Sequence, residues 1–213
     1  MLARRAELIE DGERTIGWKL GFGAPTWLET FAIPGPLVGF LTASRRHFPG
    51  ATISVEGWRK PVAEPEIAVF LGSDVDDPDQ AGQSAAAVAP AIELADVHPP
   101  PENMAEIVAG NIFHRAVIVD DAGSGRVGVD ITGLEAHVTR DGYEEAVVTD
   151  LEALTGELVS TLAHTARLLD AFGERFRAGE VVIMGSVTPP LPLQPGTQIG
   201  FRLAPLPTIT VSV

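Results

Sequence analysis

Three acids stand in segments that otherwise read as protein interior. Glu64 and Glu66 lie in Ala63-Glu64-Pro65-Glu66-Ile67-Ala68-Val69-Phe70, the start of an expected strand. Glu93 lies in Ala91-Ile92-Glu93-Leu94-Ala95, an apolar run. A carboxylate in such a place is costly unless it is paired or bound to a cation. Residues two apart in a strand share a face, so Glu64 and Glu66 project together, with Pro65 on the other face. Pro65 itself suggests a strand start or edge. An E-x-E pair alone reads as a solvated strand face. Glu93 is harder to place in water, and the three together suggest a divalent metal site. All-oxygen ligands favour a hard cation, Mg²⁺ or Mn²⁺, over zinc.

Lys19 is the second residue of interest. It lies in Ile16-Gly17-Trp18-Lys19-Leu20-Gly21-Phe22-Gly23, among apolar residues and glycines. Burial would tune it as a general acid or base; a snorkelling lysine on a half-exposed strand fits the same local sequence. The stretch lacks the G-K-[ST] ending of a phosphate loop. Ser186, after Gly185 at an expected strand end, suits either ligand contact or an ordinary turn. Among the histidines, His47 reads as solvated, His98 as a site or turn residue, and His137 and His164 as surface. His114, after Asn111-Ile112-Phe113, has no assigned position. Zinc-peptidase and serine-hydrolase motifs are absent.

The elements that must position these residues read as mixed α and β. Helices are expected over Leu2–Glu10, Gln80–Val88, Pro101–Val108 and a longer stretch from Leu154 to Phe172 that ends at Gly173. Strands are expected over Thr15–Leu20, Ala51–Val55, Glu66–Leu71, Ala91–Val97, Ala116–Val119, Val127–Ile131 and Val181–Met184, with a helix the alternative for the short apolar run Ala91–Val97. Ala136–Thr139 and Glu145–Val148 flank Arg140-Asp141-Gly142-Tyr143, a type I′ hairpin signal. Ile199–Leu203 and Thr208–Val213 suggest a last antiparallel pair. Gly21, Gly23 and Pro25 read as a loop. Strands dominate without βαβ alternation, which indicates an α+β fold with a largely β core.

Composition bounds the function. The chain has 213 residues, 45% of them hydrophobic, and a formal net charge of −14. It is expected to be one globular domain, 1–213, with no affinity for nucleic acid or an anionic membrane. It has no Cys, which removes thiolate ligands and thiol catalysis. No apolar run is long enough for a membrane helix and no signal peptide opens the chain, so a soluble, cytoplasmic protein is expected.

In order along the chain, Gly17-Trp18-Lys19-Leu20-Gly21, Glu64-Pro65-Glu66-Ile67-Ala68, Pro90-Ala91-Ile92-Glu93-Leu94-Ala95-Asp96, Gly179-Glu180-Val181-Val182-Ile183-Met184-Gly185-Ser186 and Leu191-Pro192-Leu193-Gln194-Pro195-Gly196 resemble the motifs of a known family. This is the 2-keto-4-pentenoate hydratase and 4-oxalocrotonate decarboxylase group of the fumarylacetoacetate hydrolase superfamily. The resemblance implies a mixed β-sandwich roll with a few flanking helices, a shortened segment before Gly17, and a homo-oligomer. It implies that Glu64, Glu66 and Glu93 bind Mg²⁺ or Mn²⁺, that Lys19 carries protons, and that Asn111, Gly185 and Ser186 contact substrate. The expected substrate is a small 2-oxo or 2-hydroxy carboxylic acid, and the expected reaction is hydration of a 2-hydroxy-dienoate in aromatic catabolism. Decarboxylation of a 2-oxo acid, C–C hydrolysis of an acylpyruvate, which would need His47, and a catalytically degenerate acid-binding paralogue are the alternatives. Phe22-Gly23-Ala24 and Ala109-Gly110-Asn111 depart from the group's pattern, which places the expected change in the substrate pocket rather than at the metal.

Overall fold

The computed structural model describes residues 1–98, 104–120, 126–127 and 130–213. In chain order the elements are α1 (Leu2–Glu10), β1 (Thr15–Gly21), α2 (Pro25–Phe31), β2 (Leu37–Thr42), β3 (Arg46–His47), β4 (Ala51–Thr52) and β5 (Pro61–Leu71). There follow β6 (Ala85–Asp96), α3 (Met104–Ala109), β7 (His114–Val119), β8 (Arg126–Val127), β9 (Glu135–Arg140) and β10 (Tyr143–Val148). The chain closes with α4 (Leu158–Ala171), β11 (Val181–Ser186), β12 (Leu191–Pro192), β13 (Gln198–Ala204) and β14 (Ile209–Ser212). This is the α+β class expected from the strand-rich pattern.

Among the described residues the strands make two sheets. The larger runs β2-β1-β11-β5-β6-β7-β3, with β12 on β5 and β8 on β6; the smaller runs β10-β9-β13-β14-β4. Among the described residues only the β1–β11, β14–β4 and β3–β7 pairs are parallel. The main core lies between the sheets and joins Trp18, Ile67, Ile92 and Val182 from one to Val138, Ile199, Phe201 and Val211 from the other. A smaller apolar cluster containing Ala68, Ala91, Val117 and Ile183 covers the opposite face of the large sheet.

The period of two along each strand places the chemistry on that second face. Trp18, Ile67 and Ile92 enter the main core, so Lys19, Glu66 and Glu93 are presented to the other side. Two glycines make this possible. Gly17 has φ 143° at the bulge of β1 against β2, and a Cβ there would overlap the carbonyl of Val181, its partner on β11, so only glycine fits. A Cβ on Gly39 would meet Asn111 Oδ1 at 2.6 Å and Lys19 Cγ at 3.0 Å.

Several expected elements changed. The Ala-rich stretch from Gln80 forms a short 3₁₀ segment, Pro78–Ser84, and then joins β6, because Ala87–Ala89 pair with Ala68–Phe70. That ladder overrides alanine's helix propensity. Pro25 opens α2 at its first position rather than extending a loop. The long helix begins at Leu158, capped by the Glu157 side chain on Val159 N and Ser160 N, so Leu154 precedes it. β4 is shorter than expected, and β2 had no expected counterpart. Pro65 sits inside β5 rather than at its edge. Its missing N–H falls where β5 changes partner from β12 to β11, and its carbonyl accepts from Val187 N and Ser186 Oγ. The Asp141-Gly142 hairpin has both turn residues at positive φ, as a type I′ turn requires. The first part of the expected Pro101–Val108 helix and part of the Val127–Ile131 strand lie outside the described residues; Met104–Ala109 is helical. Among the described residues no helix is long and apolar enough to cross a membrane.

Candidate active site

β5 and β6 pair so that Glu64 stands directly opposite Glu93, with Glu66 two residues along the same face. One oxygen from each of the three carboxylates falls within 4.8 Å of the others. Glu66 and Glu93 are buried, and Glu64 is half-buried. Burial and the neighbouring Glu93 charge push the Glu64 carboxyl up to about 7. Glu66 is pushed well above the ordinary range for the same reasons.

Lys19 arrives from β1 and is almost wholly buried. Its Nζ donates to Glu93 Oε1 at 2.6 Å and to the Ile112 carbonyl at 3.2 Å. Burial pushes Lys19 down, but the charges of Glu93, Glu64 and Glu66 outweigh it and hold the ammonium above its ordinary value. Burial likewise pushes Glu93 up, and Lys19 together with a His114 hydrogen bond brings it below the ordinary carboxylate range.

His114 has a role that its local sequence did not signal. It is buried at the start of β7, and its Nδ1 lies 2.7 Å from Glu93 Oε1. A carboxylate only accepts, so Nδ1 carries the proton in this contact. Burial lowers the His114 pKa and favours the neutral ring. The cross-strand register would have revealed it: His114 pairs with Ala95, two residues from Glu93.

The donor set fits a divalent cation. Glu93 Oε2 is buried without a hydrogen-bond partner, an expensive state for a carboxylate oxygen. Three carboxylates meet there, with Lys19 the cation bonded to one of them. Glu66 Oε2 accepts from Gly185 N at 2.7 Å, which orients that carboxylate and leaves its other oxygen free for a metal.

Gly185 and Ser186 line the cavity that contains Glu64 and Glu66, about 410 Å³ in volume. A smaller space of about 120 Å³ holds Lys19. Asn111 bonds the backbone of β2. Its Oδ1 accepts from Phe40 N at 2.8 Å and its Nδ2 donates to Phe40 O at 2.9 Å. It lines a separate cavity with Arg45 and Arg115 and ties the 109–113 turn to β2 beside Lys19. Asn111, Ile112 and Phe113 all have positive φ, an unusual run for non-glycine residues. This turn delivers the Ile112 carbonyl to Lys19. His47 lies on edge strand β3, paired with Ile118, and lines neither cavity.

No family model matches the chain. It is 27% identical over 208 residues to a 2-hydroxyhexa-2,4-dienoate hydratase of Comamonas testosteroni, covering 94% of this chain and 78% of that protein. It is 26% identical over 212 residues to a 4-oxalocrotonate decarboxylase of a Pseudomonas species, covering 97% and 82%. The solved structure of 4-oxalocrotonate decarboxylase from Pseudomonas putida G7, complexed with magnesium and adipate, superposes with a TM-score of 0.87 at 22% identity over 98% of this chain and 81% of that one. The chain therefore fits the 2-keto-4-pentenoate hydratase and 4-oxalocrotonate decarboxylase group, with a fold of the fumarylacetoacetate hydrolase type.

Proposed function

We propose that the protein is a divalent-metal-dependent hydratase that adds water to a 2-hydroxy-dienoate. The observation that carries this reading is the clustering of three carboxylates around a buried lysine on one sheet face. Glu64, Glu66 and Glu93 would hold Mg²⁺ or Mn²⁺. Bound there, the ion supplies Lewis acidity to a 2-oxo or 2-enol carboxylate.

The chain's own residues do the rest. Lys19 Nζ uses two donor positions on Glu93 and Ile112 and also lines the cavity. Its ammonium gives a proton to the far carbon of the dienol, and the amine recovers one from the C2 hydroxyl. This converts the dienol into a conjugated ketone. Water then adds at C4, and C3 takes up a proton, giving a 4-hydroxy-2-oxo acid. Glu93 holds Lys19 in place, and His114 holds Glu93. Gly185 N–H fixes the Glu66 carboxylate.

The similarity to a 4-oxalocrotonate decarboxylase keeps a second reading, in which the same electron sink accepts electrons as CO₂ leaves. We place the enzyme in the cytoplasm, as a homo-oligomer with a small acid as its partner and no nucleic acid. Incubation with freshly generated 2-hydroxypenta-2,4-dienoate and Mg²⁺ tests the proposal. It predicts 4-hydroxy-2-oxopentanoate as product. A folded, metal-loaded protein that leaves this dienoate and its longer analogues unchanged contradicts it.

A further inference from the structure

A 2-oxo acid with its head at Glu64, Glu66 and Glu93 must extend its tail into the two adjoining cavities. They share Gly21, Phe22, Trp27, Glu64 and Pro190. The smaller is lined further by Val97, Ile112 and Phe113, and the larger by Leu154 and Pro189 with the uncharged hydroxyl side chains of Thr26, Ser186 and Thr188. Phe22, Trp27 and Phe31 form one aromatic group: Phe22 meets both rings edge-on at 5.4 and 5.8 Å, and Trp27 stacks on Phe31 at 5.6 Å.

Charge is the telling feature of this lining. Among the described residues Lys19 is the one cation in either cavity, and its Nζ is held by Glu93 and Ile112 O. His98 follows Val97 but is exposed and lines neither space. The next residues, Pro99 to Asn103, include no Lys, Arg or His. A second carboxylate on the tail would lose water, gain no counter-ion, and approach Glu64 and Glu66.

We infer that the pocket selects 2-oxo acids with an uncharged apolar tail, alkyl or aryl, and discriminates against dicarboxylates, with Trp27 and Leu154 as selecting residues. This rests on the 2-oxo-acid reading above and deepens it. It separates the chain from enzymes whose substrate carries a carboxylate at each end.

Two unreactive six-carbon probes test the inference by calorimetry on the Mg²⁺-loaded protein: 2-oxohexanoate and 2-oxoadipate. The expected result is binding of 2-oxohexanoate at least about tenfold tighter than 2-oxoadipate, given the cost of burying an unpaired carboxylate. Trp27→Arg should narrow that gap by about tenfold; Trp27 is 39% exposed, so the longer cation keeps a route to solvent. Leu154→Arg is the second variant, expected to act in the same direction. Equal affinities, or tighter 2-oxoadipate, would overturn the inference and leave the 2-oxo-acid reading standing. A gap unmoved by both folded variants would overturn the assignment of the selecting residues. Failure of both probes to bind would overturn the 2-oxo-acid reading and this inference with it.

Discussion

Lys19 Nζ lies 2.6 Å from Glu93 Oε1, yet the two residues stand on β1 and β6, with β11 and β5 between them. In a flat sheet three strand spacings amount to about 14 Å. Side chains standing upright from such a sheet would not meet. The two long side chains close that span by reaching toward each other across β11 and β5, on the face that carries Glu64 and Glu66, and this reach joins the lysine to the carboxylates.

Removal of the lysine separates its two roles. Lys19→Met is expected to lower kcat at least about 100-fold through loss of the proton carrier, with Mn²⁺ binding retained. In the metal-free protein the same variant should lose about 3 kcal/mol in urea unfolding, because it strands a buried carboxylate. Steady-state kinetics beside urea curves with and without Mn²⁺ check both expectations. Full activity in the variant would remove Lys19 from the mechanism.

His114→Phe keeps the ring volume and deletes the donor to Glu93. Partners that orient a metal-binding carboxylate are worth about 10–100-fold in metal affinity or activity. A loss of that order is expected, measured by Mn²⁺ titration and by kcat. An unchanged protein would reduce His114 to packing.

Asn111→Ala tests whether this residue clamps structure or binds ligand. Both its hydrogen bonds go to the Phe40 backbone. The expected outcome is a stability loss of about 1–3 kcal/mol from the abandoned partners. The affinity for 2-oxohexanoate should change by less than about threefold, well under one lost charge-assisted contact. A large loss of affinity in a protein of unchanged stability would make Asn111 a ligand contact.

Glu180 gives a pH dependence away from the metal. It is buried behind Trp18 and accepts from Trp18 Nε1 at 3.1 Å and Arg177 N at 2.9 Å. Burial raises its pKa above the ordinary carboxylate value. A raised folded-state pKa means that the native protein binds the extra proton. Its stabilising contribution is present below the unfolded pKa and lost as pH rises through the folded one. Glu180→Gln should flatten that fall in unfolding free energy just above the ordinary glutamate pKa. Urea titrations across this range provide the check, and identical slopes in both proteins would contradict it.

Much of this site was legible because acids in apolar strands have few explanations. Glu93 inside an interior run and the two-residue spacing of Glu64 and Glu66 located one sheet face. The strands carrying them followed from β-branched content, and Asp141-Gly142 marked its hairpin. What stayed hidden depends on contacts distant in sequence. His114 gains meaning only from its register beside Glu93. Nothing local to Asn111 reveals the Phe40 backbone it binds. The Ala85–Val88 segment looked helical because its strand partners lie far away, around Val69. Pro25 looked like a break because a proline that opens a helix and one that ends a loop read alike.

Glu64, Glu66 and Glu93 are proposed to hold one divalent ion jointly. Titration of Mn²⁺ into the metal-free protein, read by electron paramagnetic resonance, tests it most directly, with Glu64→Gln and Glu66→Gln in parallel. One tight ion per chain is expected in the unaltered protein, and loss of that ion in both variants with the fold retained. Absence of tight Mn²⁺ binding, or binding that survives both substitutions unchanged, would contradict it.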